Sequence, residues 1–150
     1  MIEVMNEAEM REFGERLGAL VQGGEVIELI GDVGAGKTTF VRGLARGMGV
    51  SETVQSPSFT INRVYDASHD RRLVHYDFYR LADPGIMADE LAEAIADVAT
   101  VVVIEWAAAV EHVLPADRLT IRIVSPTETS RQLSVEGTGD MSKILGGKLQ

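Results

Sequence analysis

The sequence contains no cysteine. That excludes a disulfide scaffold and a thiolate metal site, and it suits a reducing compartment, so a cytoplasmic location is expected. There is no long apolar run, and Met1-Ile2-Glu3-Val4-Met5-Asn6-Glu7 carries no basic segment followed by an apolar stretch. Neither a secretory signal nor a membrane span is expected. Basic residues are also few: 14 Lys and Arg stand against 23 Asp and Glu, a formal net charge of −9. Such a surface repels a polyphosphate backbone, which argues against independent high-affinity binding of nucleic acid. Arg42 with Arg46, on one helical face, and the adjacent Arg71 and Arg72 read as solvated surface pairs. Repeats, low-complexity tracts and internal linkers are missing as well. At 150 residues the chain has room for one substantial core, so residues 1–150 are expected to form a single domain.

What is present is organised around Gly31-Asp32-Val33-Gly34-Ala35-Gly36-Lys37-Thr38-Thr39. The run fits G-x-x-x-x-G-K-[ST], the loop that wraps phosphate oxygens in backbone N–H groups. The amides that follow belong to the first turn of a helix, where unpaired donors and the helix dipole favour an anion. Lys37 is expected to reach the β- and γ-phosphates and the Thr38 hydroxyl to meet Mg²⁺. The flanks agree: Glu25 to Ile30 reads as a strand, and Phe40, Val41, Leu44 and Met48 recur at helical spacing over Lys37 to Met48.

Ile2 to Met5 reads as a short strand. Asn6 is placed to cap a helix, with Glu9 completing a capping-box-like arrangement. Met10, Phe13, Leu17, Leu20 and Val21 form its core-facing stripe, and Gln22-Gly23-Gly24 ends it. After the phosphate-loop helix, Gly47 and Gly49 are expected to stop the chain. The hydroxyl-rich Ser56-Pro57-Ser58-Phe59-Thr60 follows; its proline keeps it out of regular helix. Ser58 and Thr60 suit a switch-like loop that senses a γ-phosphate, although a turn before a strand has the same spacing.

Thr60 to Tyr65 and Leu73 to Tyr79 read as strands around a polar turn, too short a connection for anything but an antiparallel hairpin. On the second strand His75, Asp77 and Tyr79 share one face and Tyr76, Phe78 and Arg80 the other. Asp77 could orient a water at a metal, or pair with Arg80 or Arg72 at the surface. His75, His69 and His112 lack metal-ligand spacing and read as structural. Ala82 to Gly85 breaks the chain, and Ile86 to Val98 reads as an acidic amphipathic helix carrying Met87, Leu91 and Ile95.

Thr100-Val101-Val102-Val103-Ile104-Glu105-Trp106 has no alternation, the signature of a strand buried on both faces. Its carboxylate lies at the C-terminal end, the edge where ligands bind in open α/β sheets. Burying Glu105 without a partner is costly, so it should face a cation, a water or the site. That is the pattern of a metal-positioning or water-polarising acid. Ala107 to Val113 follows as a turn or two of helix, then a second hairpin of Leu119 to Val124 with Arg131 to Val135, and a short terminal segment from Met141 to Gln150. The fold expected is α/β, like that of phosphate-loop NTPases, in three layers, its mixed sheet combining a parallel core with antiparallel hairpins.

Four of these pieces, in this order, resemble the bacterial TsaE family, formerly YjeE, the small ATPase of tRNA threonylcarbamoyladenosine biosynthesis. They are the phosphate loop, Ser56 to Thr60, His75-Tyr76-Asp77-Phe78-Tyr79-Arg80-Leu81 and Ile104-Glu105-Trp106. The loop alone is widespread; the other three are far more specific. The resemblance implies an ATP site at Lys37 and Thr38, a switch-like loop at Ser56, Pro57, Ser58 and Thr60, and a strand aspartate at Asp77. It implies a catalytic or metal-linked glutamate at Glu105, beside the family's tryptophan at Trp106. Ser58 stands where the family usually has threonine, keeping the hydroxyl and losing the methyl. Asn6, Glu7 and Arg131 align with stretches that lie near the nucleotide base in similar proteins. The implied function is to bind ATP and join the TsaB–TsaD complex, which modifies adenosine 37 of tRNAs reading codons that begin with A. Hydrolysis would reset that complex, and partners would hold the tRNA.

Two other functions use the same loop. A small-molecule kinase needs an arginine-rich lid, for which only Arg118, Arg122 and Arg131 follow Glu105. A nucleotide-gated binding module would hydrolyse incidentally. A regulatory GTPase is disfavoured because no N-K-x-D element occurs.

Overall fold

The computed structural model describes residues 2–32, 34–57, 61–79 and 85–137. In chain order these form β1 (Ile2–Val4), α1 (Glu7–Leu20), β2 (Val26–Ile30), α2 (Lys37–Gly47), β3 (Asn62–Asp66), β4 (Arg72–Asp77), α3 (Ile86–Ala96) and β5 (Thr100–Glu105). A 3₁₀ helix (Ala107–Val113), β6 (Leu119–Val124) and β7 (Arg131–Gly137) complete the order. The expected element at 141–150, along with Val33, Ser58, Phe59, Thr60 and Arg80 to Pro84, lies outside the described residues.

One seven-stranded sheet runs β1-β7-β6-β2-β5-β4-β3. Its centre is parallel, with β2 between β5 and β6 and β4 beside β5. The flanks are antiparallel: β3 on β4, β7 on β6 and β1 on β7. Both expected hairpins are therefore present, around the expected parallel core. All six residues of β5 are buried, as its unalternating β-branched run requires.

Helices cover both faces. Side chains of α1 and α2 join Ile27, Leu29, Val101 and Val103 in one core, while Leu91 and Val110 join Val26, Val102 and Ile104 in the other. In the first core Met10, Phe13 and Leu17 occupy the predicted stripe, and the rings of Phe13 and Phe40 lie 5.8 Å apart. Each such fully buried side chain contributes about 1.5–3 kcal/mol. The start of α1 is fixed as the sequence indicates: Asn6 Oδ1 accepts from Glu9 N at 2.9 Å, and Glu9 reaches back to Met5 N at 3.4 Å.

Two expectations are extended or corrected here. Gly47 is not only a stop: α2 ends on it as expected, with Gly49 just beyond in a left-handed conformation at φ 84, and it is also part of a close helix crossing. A Cβ built on Gly43 would lie 2.1 Å from Arg11 O, and on Gly47 2.2 Å from Glu15 O, so only hydrogen fits between the backbones. Gly14 and Gly18 make the reciprocal approach from α1. Nor is Arg71 merely solvated. Its guanidinium donates to Val21 O at 2.6 Å and Met48 O at 3.3 Å, and its Nε donates to Ser68 O at 2.9 Å. It ties the ends of both helices to the β3–β4 turn.

Candidate functional site

The parallel register brings the C-terminal ends of three strands together. Leu29 near the end of β2 lies opposite Glu105 at the end of β5, and Glu105 lies opposite Asp77 at the end of β4. The loop from β2 into α2 folds over this edge. Gly36 caps α2 with φ 105, a left-handed conformation suited to glycine. Among the described residues no side chain caps this helix, and no acidic residue stands in its first turn. Its first N–H groups have no side-chain acceptor, and they and the helix dipole together favour an anion.

These parts line an open cavity of about 890 Å³. Its floor is Gly34, Ala35, Gly36, Lys37, Thr38 and Thr39. One wall is the start of α1, with Asn6, Glu7, Ala8 and Met10. Ser56, Asp77, Tyr79, Glu105 and Trp106 line the cavity as well, and Glu128, Thr129 and Arg131 complete it. Gly31 and Asp32 lead in from β2, with Asp32 O accepting from Ala35 N at 3.0 Å. Pro57 is buried, and its carbonyl accepts from Ile61 N at 2.7 Å. Val33, Ser58 and Thr60, named from the sequence, lie outside the described residues.

Lys37 is buried at 6% exposure, unusual for a lysine. Its ammonium donates to Gly31 O at 2.6 Å, lies 3.6 Å from Glu105 Oε1, and sits 4.1 Å from the centroid of the Trp106 ring. Glu105 is also buried, at 4%. Its second oxygen, Oε2, lies 2.5 Å from His75 Nε2. The costly buried carboxylate therefore has partners at both oxygens. His75 is the residue sequence reasoning missed. Metal-ligand spacing is the wrong test for it, because its partner is 30 positions away on the neighbouring strand. The available signal was its shared strand face with Asp77.

Asp77 is buried on the cavity wall, and its Oδ1 accepts from Tyr79 N at 2.9 Å. Of the two roles left open, pairing with Arg72 is not adopted, since Arg72 opens β4 and Asp77 closes it. The other possible partner, Arg80, lies outside the described residues. Trp106 has φ 57, a left-handed conformation uncommon for a bulky residue. That turn sets its ring over Lys37 and 4.9 Å from the ring of Tyr79.

Glu7 and Arg131 both line the cavity, in different states. Glu7 is exposed, with Arg11 at 3.9 Å. Arg131 is bound to main chain: Nε donates to Ala35 O at 2.9 Å, Nη2 to Gly34 O at 3.3 Å, and Nη1 to Thr127, Glu128 and Ser130 carbonyls at 2.8–3.2 Å. It braces the phosphate loop against the β6–β7 turn.

Among the described residues, no three His, Cys, Asp or Glu side chains converge to cage a metal. The oxygen donors that share the cavity, Thr38, Asp77 and Glu105, suit a hard ion such as Mg²⁺, which takes one or two carboxylates and completes its shell with water and phosphate oxygens. No helix of the described residues is long and apolar enough to cross a membrane.

Comparison with known proteins gives one family. The model described as Threonylcarbamoyl adenosine biosynthesis protein TsaE matches residues 4–133. The tRNA threonylcarbamoyladenosine biosynthesis protein TsaE of Streptomyces coelicolor is 42% identical over 139 residues, covering 87% of this chain and 92% of its own. The Bacillus subtilis protein of the same name is 34% identical over 143 residues, covering 94% and 87%. The crystal structure of Bacillus subtilis YdiB superposes with a TM-score of 0.79 at 30% identity, over 99% of this chain and 91% of that one.

Proposed function

The chain belongs to the TsaE family of tRNA threonylcarbamoyladenosine biosynthesis, and from that premise we propose that it is a magnesium-dependent ATP hydrolase acting in the cytoplasm. It works with TsaB and TsaD in the threonylcarbamoylation of adenosine 37 and resets their complex between turnovers. One observation carries the reading: a buried lysine and a buried carboxylate, 3.6 Å apart, stand at the uncapped start of the helix that follows the phosphate-loop motif.

In this reading the amides of the loop and of the first turn of α2 take the triphosphate oxygens, and Lys37 exchanges Gly31 O and Glu105 for the β- and γ-phosphates. Thr38 and a site carboxylate would hold Mg²⁺, which supplies neutralisation of phosphate charge when bound. Glu105, with Asp77, orients the attacking water in line with the terminal phosphate. Glu7 and Arg131 lie toward the base. Ser56 and Pro57 belong to the switch-like loop. Hydrolysis by the isolated chain is slow, because partner subunits complete the transition-state surroundings. A kinase lid is disfavoured further, since Arg118 is already committed to Glu28 at 3.1 Å and Glu111 at 2.8 Å, and Arg131 to main-chain carbonyls.

The test is a pair of variants measured for both ATP affinity and turnover. Lys37→Ala should abolish binding, turnover or both, and its retaining both would refute the site. Glu105→Ala should keep most of the affinity while turnover falls about 100-fold or more; unchanged turnover would remove its catalytic role.

A further inference from the structure

His75 has no exposed surface, yet it carries two polar nitrogens into the core. Nε2 meets Glu105 Oε2 at 2.5 Å, while Nδ1 has no partner among the described residues. A hydrogen on Nδ1 would be a buried N–H without an acceptor. A bare lone pair there costs less, so the ring hydrogen belongs on Nε2, donated to the carboxylate. An apolar side chain would fill this position without stranding a ring nitrogen, so packing alone leaves the imidazole unexplained. Its contact is directional, and it points at the site.

We infer that His75 is a positioning residue that holds the Glu105 carboxylate in its working orientation while a nucleotide is bound. The inference rests on the ATP hydrolase reading and deepens it. The carboxylate has two polar neighbours of unequal permanence. Lys37, 3.6 Å from Oε1, is the group that phosphate would draw away. His75 sits behind the carboxylate, on a strand hydrogen-bonded along its length to β5, and does not leave. Once Lys37 turns to the triphosphate, the Nε2–H bond keeps Oε2 fixed and leaves Oε1 facing the cavity.

The experiment compares wild type with His75→Leu, His75→Gln and His75→Asn, reading ATP affinity, KM, kcat and the melting temperature of each. A Gln amide reaches about as far as Nε2, whereas Asn falls short of it. We expect His75→Leu and His75→Asn to bind ATP within about threefold of wild type, with kcat reduced about 10- to 100-fold, the loss that matches one hydrogen bond to a charged group. His75→Gln should recover most of the kcat. Wild-type kcat in His75→Leu overturns the inference. Equal kcat in the Gln and Asn variants also overturns it, and that comparison stands even where the Leu variant fails to fold. A wild-type chain that binds ATP but does not turn it over with its partners present would instead defeat the underlying hydrolase reading.

Discussion

Lys37 is held by a carbonyl, a carboxylate and an indole face at once, and under the proposed function a phosphate that drew the ammonium toward it would exchange at least one of these contacts. Trp106 is the only tryptophan in the chain, so its emission reports on the exchange. Adding ATP should change that emission, and Lys37→Ala should alter it without ligand and abolish the response; an unchanged signal on saturation would mean the ammonium stays where it is. Arg131 makes a second prediction. Arg131→Ala removes its bonds to the loop carbonyls and should cost about 1–3 kcal/mol in stability, read by denaturant titration, with a parallel fall in ATP affinity. Wild-type affinity would restrict Arg131 to the turn. The sequence names Lys37, Thr38 and Glu105 directly, because the loop motif and the end of an unalternating strand are local patterns. For His75 the sequence offers only a strand face shared with Asp77, and the bracing role of Arg131 is illegible there. Both depend on contacts made across strands or across nearly a hundred residues, which spacing does not encode.

Among the elements, α1 and α2 meet where four glycines face backbone atoms. Gly43→Ala would drive a methyl into Arg11 O and should destabilise the fold by about 1–3 kcal/mol or more, measured by denaturant unfolding. A neutral substitution would mean the helices separate easily. The crossing is hidden in the sequence because a glycine near a helix end reads as a terminator, which Gly47 also is. The hairpins were plain, since short polar turns between alternating runs permit little else. The α3–β5 turn carries a pH dependence. Asp97 accepts from Ala99 N at 2.9 Å and from the Thr100 hydroxyl at 3.0 Å, and these bonds, the first above all, with the charge of Arg72, hold its pKa below the usual carboxylate value. A depressed folded-state pKa gives stability that is present above the unfolded value, near 3.8, and is lost as pH falls through the folded one. Asp97→Asn should flatten that part of an acid melting series, and an unchanged acid limb would assign the loss to other groups.

At the scale of the molecule, the chain carries a net charge of −9, and the proposed ATP site lies in one concave face. The acidic exterior suits contact with protein partners better than with tRNA. Co-purification with TsaB and TsaD should therefore depend on ATP and survive high-salt removal of tRNA; association only through tRNA would reverse that assignment. The glycine seam between α1 and α2 has a larger consequence. It welds the wall that carries Asn6 and Glu7 to the floor that carries Lys37, so those surfaces travel as one body. The rest of the cavity lining, Ser56, Asp77 and Trp106 among it, belongs to other elements that the seam does not include.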